Sequence, residues 1–146
     1  MRAERPRLLD VNVLVALSIT THVHHASAHS ALSEMPAWST CPVTEIGLLR
    51  LLLNPAVTGQ DRSVDDVLAV LRGMRADARW SFLVDDSSPA EAVTDVDVIA
   101  SHRHMTDLHL LDLAARKGAV LATFDASLAA IVSPRDREHL EVLPVL

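Results

Sequence analysis

The chain is 146 residues long, with 49% apolar and 22% charged residues and only four Gly and seven Pro, a length that fits one compact domain and a composition that excludes collagen-like and disordered classes. Thirteen Lys and Arg against nineteen Asp and Glu give a net charge of -6, the opposite of a protein that coats nucleic acid by bulk electrostatics, so a polyanionic substrate must be gripped locally. Aromatics make up 3% and Tyr is absent, which argues against RRM and OB modules that read single strands by stacking. A single cysteine, Cys41, rules out an internal disulfide and a multi-cysteine zinc site and fits a reducing cytoplasm. The first apolar run, Val11 to Ile19, is broken by Asn12 and Ser18 and is too short to span a bilayer; with no visible signal peptide, the reading is a soluble cytoplasmic protein with no membrane partner.

In chain order, a basic, frayed start (Arg2 to Arg7) leads through Leu8-Leu9 into Asp10, a short buried strand followed by a helix over Val11 to Leu17. His24 to Met35 predicts a second helix stopped by Pro36, and Trp38 to Cys41 a strand. Pro42 and Thr44 open a helix, apolar on nearly every face and therefore expected to be buried, that Asn54-Pro55 ends. After a looser Ala56 to Arg62, Ser63 caps a helix reaching about Ala78, with Val64, Val67, Leu68 and Leu71 at core spacing. Trp80 to Val84 reads as a strand closed by the turn at Asp85-Asp86, and Ala90 to Arg103 as a helix with a β-branched centre. Thr106 as cap, Asp107 in the first turn, Arg116 and Lys117 in the last turn and Gly118 beyond mark a further helix. Ala119 to Thr123 is a buried strand, Asp125 to Ile131 a short helix and Leu140 to Leu143 a last strand. Strands alternating with helices imply an α/β fold with a parallel sheet covered on both faces.

Four acids stand where strands end or helices begin: Asp10, Glu45, Asp107 and Asp125. In an open parallel sheet the carboxyl ends of the strands line one crevice, where the four can meet. Asp107 shares a helix face with Leu110, Leu111 and Ala114, and Glu45 stands beside Leu48 and Leu49, so neither points into bulk solvent. Acids on apolar faces must be paired, protonated or metal-bound. An all-oxygen cluster favours Mg2+ or Mn2+, which orients a water for in-line attack on a phosphodiester. Taken singly, each acid is equally readable as a helix cap or a surface charge.

At these positions the sequence resembles the PIN-domain ribonucleases, specifically the VapC-like toxins of bacterial type II toxin-antitoxin pairs. Leu8 to Leu14 looks like the family's opening strand. Cys41-Pro42-Val43-Thr44-Glu45-Ile46-Gly47 with Arg50 and Asn54-Pro55 looks like its second motif, His102 to Asp107 with Leu110-Leu111 like its third, and Leu121-Ala122-Thr123-Phe124-Asp125 like its fourth. Ser101 stands where Gly is more familiar, and Met105 where a β-branched residue is. The resemblance implies a three-layer α/β/α sandwich around a mostly parallel sheet of about five strands. It makes Asp10, Glu45, Asp107 and Asp125 the catalytic, metal-binding acids, supported by Asn12, Thr44 and Thr123. It further implies RNA cleavage, a homodimer and a VapB-like antitoxin partner.

Other polar residues carry weaker signals. Arg103 and His104 precede Asp107 and could contact phosphate. Arg50, in an apolar helix, calls for an acidic partner such as Glu45 or Glu34, or for substrate. His25 and His29 are spaced i,i+4 within the group His22, His24, His25 and His29 but lack a third ligand for zinc, so they read as surface or interface residues. Asp112 and Arg116 read as a surface pair. Two other readings compete. An aspartyl-phosphate phosphatase or receiver domain also uses an Asp after the first strand but fits poorly, because Asn12 and a lone lysine, Lys117, occupy or leave empty the places it needs. A PIN-like module that only binds is the other, and the presence of all four acids argues against it.

Overall fold

The structure, a computed structural model, describes residues 4–99 and 101–146. Five short strands, β1 (Arg7–Leu9), β2 (Trp38–Thr40), β3 (Trp80–Phe82), β4 (Val120–Thr123) and β5 (Leu140–Val142), form one sheet in the order β3-β2-β1-β4-β5. All four pairings are parallel. The helices are α1 (Val11–Ser18), α2 (His25–Ser33), α3 (Pro42–Leu52), α4 (Pro55–Thr58), α5 (Val64–Arg75), α6 (Met105–Arg116) and α7 (Ala126–Ile131).

The doubled leucine of β1 explains why the sheet is covered twice. Successive residues of a strand face opposite ways. Leu9 joins a core with α1, α2, α3 and α5 around Trp38, Leu48 and Val67, whereas Leu8 joins a second core with α6 and α7 around Leu111 and Leu128. Leu121 and Ala122 of β4 divide in the same way. β1 and β4 therefore carry consecutive apolar residues, Leu8-Leu9 and Val120 to Ala122. The chain fills one side of β1 with β2 and β3, then crosses to the other side with β4 and β5, which makes the β1–β4 seam the topological switch point.

Several elements differ from the sequence reading. The basic N-terminus is not frayed where it is described: Arg7 lies within β1 and pairs with Glu141 at 2.9 Å, and Arg5 bonds the carbonyls of Gly118, Ala119 and Glu138; Arg2 lies outside the described residues. The helix α3 is not buried all round. It inserts only Thr44, Leu48 and Leu52, leaves Ile46 58% exposed, and turns Arg50 outward, where among the described residues it is ion-paired with neither Glu45 nor Glu34. In α5, Val67 and Leu71 are core but Val64 is exposed. The loose segment after Asn54 contains the turn of helix α4, and α6 begins at Met105 because a 3-10 turn over His102–His104, capped by the Ser101 hydroxyl, runs straight into it. Gly118 then closes α6 with φ +69°.

The largest difference is the helix expected over Ala90 to Arg103. Ala100 lies outside the described residues; the remainder is a 3-10 turn at Pro89–Glu91 followed by irregular chain. Side-chain carboxylates take the backbone donors that a helix would have used. Asp112, only 1% exposed, accepts from Val93 N, Thr94 N, the Thr94 hydroxyl and Arg116 Nε, and Asp136 accepts from Asp95 N. The Asp112–Arg116 pair is thus an inward anchor, not a surface pair. Likewise Asp85, expected to mark only a turn, accepts from His109 Nε2 at 2.7 Å and ties the exit of β3 to α6.

Two outcomes follow from this packing. A Cβ on Gly47 would lie 2.6 Å from Val11 Cγ2, and Val11 is β-branched and stiff. Gly47→Ala should therefore cost about 1–3 kcal/mol in urea denaturation, and Val11→Ala in the same chain should recover much of it; a singly substituted protein as stable as wild type would contradict this close approach of α3 and α1. Asp112→Ala should cost about 2–4 kcal/mol, because it strands three donors and the Arg116 guanidinium. Burial opposes the Asp112 charge, yet Arg116, Thr94 and Val93 together outweigh it and hold the carboxyl below its usual range. Its contribution is accordingly present above the unfolded carboxylate pKa and is lost as pH falls through the lower folded value, so the difference between wild type and Asp112→Ala should shrink in acid.

Candidate active site

Asp10 and Asp125 follow the two strands that flank the switch point, and each caps the helix that comes next. Asp10 Oδ1 accepts from Val11 N at 2.7 Å, and Asp125 Oδ1 accepts from Ser127 N at 3.0 Å and from the Ser127 hydroxyl at 2.6 Å. The seam joins them: Asp10 N donates to Ala122 O at 2.9 Å. Thr123, fully buried at the end of β4, sits between the two acids. Its Oγ1 accepts from Asn12 Nδ2 (3.0 Å) and Asp125 N (3.1 Å) and lies 2.8 Å from Asp10 Oδ2. With both lone pairs used, the hydroxyl has one role left, donation to Asp10. Asn12 completes the clasp by accepting from Phe124 N through Oδ1.

Asp107 reaches the same place from α6, whose N-terminus lies at the carboxyl ends of the strands because the helix runs back against β4. Among the described residues its carboxylate has no hydrogen-bond donor, and the residue is half-buried. Burial, then the charges of Asp10 and Asp125, push its carboxyl up to about 6, with His104 opposing. Asp10 is raised as well, first by burial and last by Asp125, against the Thr123 and Val11 bonds. Three of the four acids thus repel one another across one crevice.

Glu45, at the head of α3 beyond β2, is turned elsewhere. Its Oε2 accepts from the Thr40 hydroxyl at 2.6 Å and its Oε1 lies 3.5 Å from Arg75. Thr40 Oγ1 in turn accepts from Trp80 Nε1 at 3.0 Å, and the Arg75 guanidinium lies 4.2 Å from the centre of the Trp80 ring. Thr40 and Trp80 were not singled out by sequence. The signal that could have found Thr40 is its place as the last residue of a buried strand beside an acid, the same place Thr123 holds. Thr44 is fully buried and its hydroxyl closes the cap of α3 against Cys41. Arg50 opens onto a groove with Val11, Gly47, Leu51 and Asn54, next to the start of α1. Arg103 is exposed and His104 half-buried on the turn that leads to Asp107. The His25 and His29 rings are spent on α1: His25 Nδ1 is 2.8 Å from Ala16 O and His29 Nε2 3.3 Å from Leu17 O, satisfying carbonyls that a helix end leaves open.

The donor set is all oxygen, its net charge is uncompensated, and one carboxylate has no protein partner, which suits a hard divalent cation. As placed, no three His, Cys, Asp or Glu side chains among the described residues converge on one coordination point; the coupling of Asp10, Asp107 and Asp125 is electrostatic.

Asp107→Asn keeps the shape and removes one repelling charge. Because the folded pKa is raised, the native state binds more protons than the unfolded chain between about pH 4 and 6, and wild type loses stability as pH rises through that window. With chelator at pH 7.5, Asp107→Asn should therefore be more stable than wild type by about 1 kcal/mol, an advantage that vanishes near pH 4. Thermal melts at both pH values measure it, and a less stable variant at pH 7.5 would mean that Asp107 only serves its helix.

The PIN domain model matches residues 7–133. Ribonuclease VapC38 of Mycobacterium tuberculosis is 40% identical over 141 residues, 95% of this chain and 99% of that protein. Ribonuclease VapC39 of the same organism is 41% identical over 125 residues, 84% and 90% of the two chains. Among solved structures, Mycobacterium tuberculosis VapC20, titled a sarcin-ricin loop cleaving toxin, superposes with a TM-score of 0.56 at 13% identity, over 86% of this chain and 96% of that one, a likeness of fold. The five-stranded parallel sheet, the acids gathered at its switch point and these similarities agree: the chain belongs to the PIN-domain family, among the VapC ribonucleases.

Proposed function

We propose that this chain is an endoribonuclease toxin that hydrolyses RNA phosphodiesters with Mg2+ or Mn2+ held by Asp10, Asp107 and Asp125, with Glu45 as the fourth acid. The observation that carries the reading is Asp107: a half-buried carboxylate without a protein donor, pushed up to about 6 between two other acids. A cation bound there would supply Lewis-acid polarisation of the phosphate and a more acidic attacking water.

The chain's own residues do the rest. Thr123 and Asn12 hold Asp10 in one orientation by the bonds described above. Glu45 would join the other acids by leaving Arg75, with which its contact is a partly exposed ion pair. Arg103 and His104 stand on the turn at the head of α6, and Arg50 on the groove beside α1, where cationic groups would steady the phosphates on either side of the scissile bond.

The same reading includes a VapB-like antitoxin and a homodimer. An antitoxin arginine placed among the carboxylates would replace the cation's charge and block the phosphate. An apolar antitoxin segment would suit the groove between α1, α2 and α5, lined by Leu17, Leu32, Trp38, Val70 and Met74. No helix among the described residues is long and apolar enough to cross a membrane, and the reading places the protein in the cytoplasm.

Purified wild type, Asp10→Asn and Asp107→Asn, incubated with a mixed RNA pool in Mg2+, Mn2+ or EDTA, test the proposal. Wild type should cleave only with metal, and each variant should lose about 100-fold or more. Cleavage that survives EDTA, or equal activity in all three proteins, would overturn it; a wild type that binds RNA without cutting it would favour a binding module.

A further inference from the structure

Aromatic residues are scarce in this chain, yet rings are stacked directly beside the acid crevice. Phe124 lies between Thr123 and Asp125, and its backbone N–H is held by Asn12. The His24 imidazole stacks on it, with centroids 5.0 Å apart and planes 29° apart, and His22 continues the series 5.7 Å from His24. The two histidines belong to the loop that joins α1 to α2, which is pinned by His22 N to Ile19 O, His25 N to His22 O and His24 N to His22 Nδ1. All three residues are half-buried, and Phe124 also packs against the core that holds Leu9 and Ala122. Helix capping does not account for them as it does for His25 and His29. Among the described residues His24 Nδ1 is a buried nitrogen without a hydrogen-bond partner, as are His104 Nδ1 and His109 Nδ1.

A ladder of flat rings that starts at the residue between two site groups fits a flat, unpaired ring as ligand. Burial, with the neighbouring His24 and His25, holds the His22 imidazole below its usual pKa, which favours the uncharged ring. The net charge of -6 offers little diffuse attraction for RNA, and stacking is attractive irrespective of charge and tolerant of base identity. We propose that Phe124, His24 and His22 form a nucleobase subsite that stacks an unpaired base of single-stranded RNA next to the scissile phosphate. It rests on the ribonuclease reading and adds what that reading lacks, a grip on the base and a preference for single-stranded substrate.

The test is binding without cleavage. U-rich hexaribonucleotides carrying 2-aminopurine at one position in turn are titrated with wild type in EDTA, where stacking quenches the probe. One position should quench strongly, and an abasic residue there should weaken Kd by about 5- to 100-fold. Phe124→Leu and His24→Leu should lose both the quench and the sensitivity to the abasic residue, and Val23→Ala, a neighbour that is 84% exposed, should keep both. If Phe124→Leu melts early, His24→Leu decides alone, since its ring lies on the loop. Unaltered quench and affinity in a His24→Leu protein that melts like wild type would overturn the subsite, as would a wild type that cleaves RNA but quenches at no position, a result that leaves the ribonuclease reading standing. A wild type that neither binds nor cleaves RNA would remove both.

Discussion

The architecture depends on a seam between two parallel strands that were never neighbours in sequence. β1 and β4 pair through Leu8 with Leu121 and Leu9 with Ala122, and the bond from Asp10 N to Ala122 O extends the ladder one step past the end of β1. That extra step carries Asp10 into a place where it is 5% exposed. A carboxylate so buried is tolerable only with donors at hand, and the seam supplies them, because the register that aligns Leu9 with Ala122 also brings the Thr123 hydroxyl to Asp10. Strand pairing and site assembly are the same event.

The two threonine-to-acid contacts divide the four acids into two electrostatic situations. On one side of β1, Thr123 steadies Asp10, while Asp107 and Asp125 add negative charge that, among the described residues, forms no ion pair with an arginine or lysine and is opposed only in part by His104. On the other side, Thr40 steadies Glu45, and Arg75, braced over Trp80, compensates it. The first group destabilises the fold by mutual repulsion. The second is already balanced. Under the proposed metal-bound arrangement, Glu45 would exchange a partly exposed ion pair with Arg75 for a more desolvated one.

Stability given up in the crevice is recovered at some distance from it. Asp112 and Asp136 point inward and gather backbone donors from the irregular chain after Pro89, and Asp85 holds His109. These bonds fasten the connection that leads into α6, the helix whose first turn delivers Asp107. The orientation of Asp107 thus rests on carboxylates elsewhere that gather several donors, whereas the Asp107 carboxylate itself has no hydrogen-bond donor among the described residues.

The apolar runs at Leu8-Leu9 and Val120 to Ala122, the Ser63 cap, the Gly118 stop and the alternation of strand and helix were sufficient to place a parallel α/β sheet, because burial on both faces and helix capping are local demands written into consecutive residues. The order of four acids at element ends was legible for the same reason. Tertiary structure decided what depends on partners distant in sequence. Asp112 competes for the amides of Val93 and Thr94 across about 20 residues and melts a helix that local pattern favoured. The exposed side of α3 follows from which single face α1 and α5 cover, so Arg50 needed no acidic partner. Glu45 faces Arg75 because Trp80, brought alongside by strand pairing, holds the arginine there, and Phe124 meets His24 only because α1 folds back over the end of β4. Periodicity reports which way a side chain leaves its own backbone; it carries no information about which other backbone it will meet.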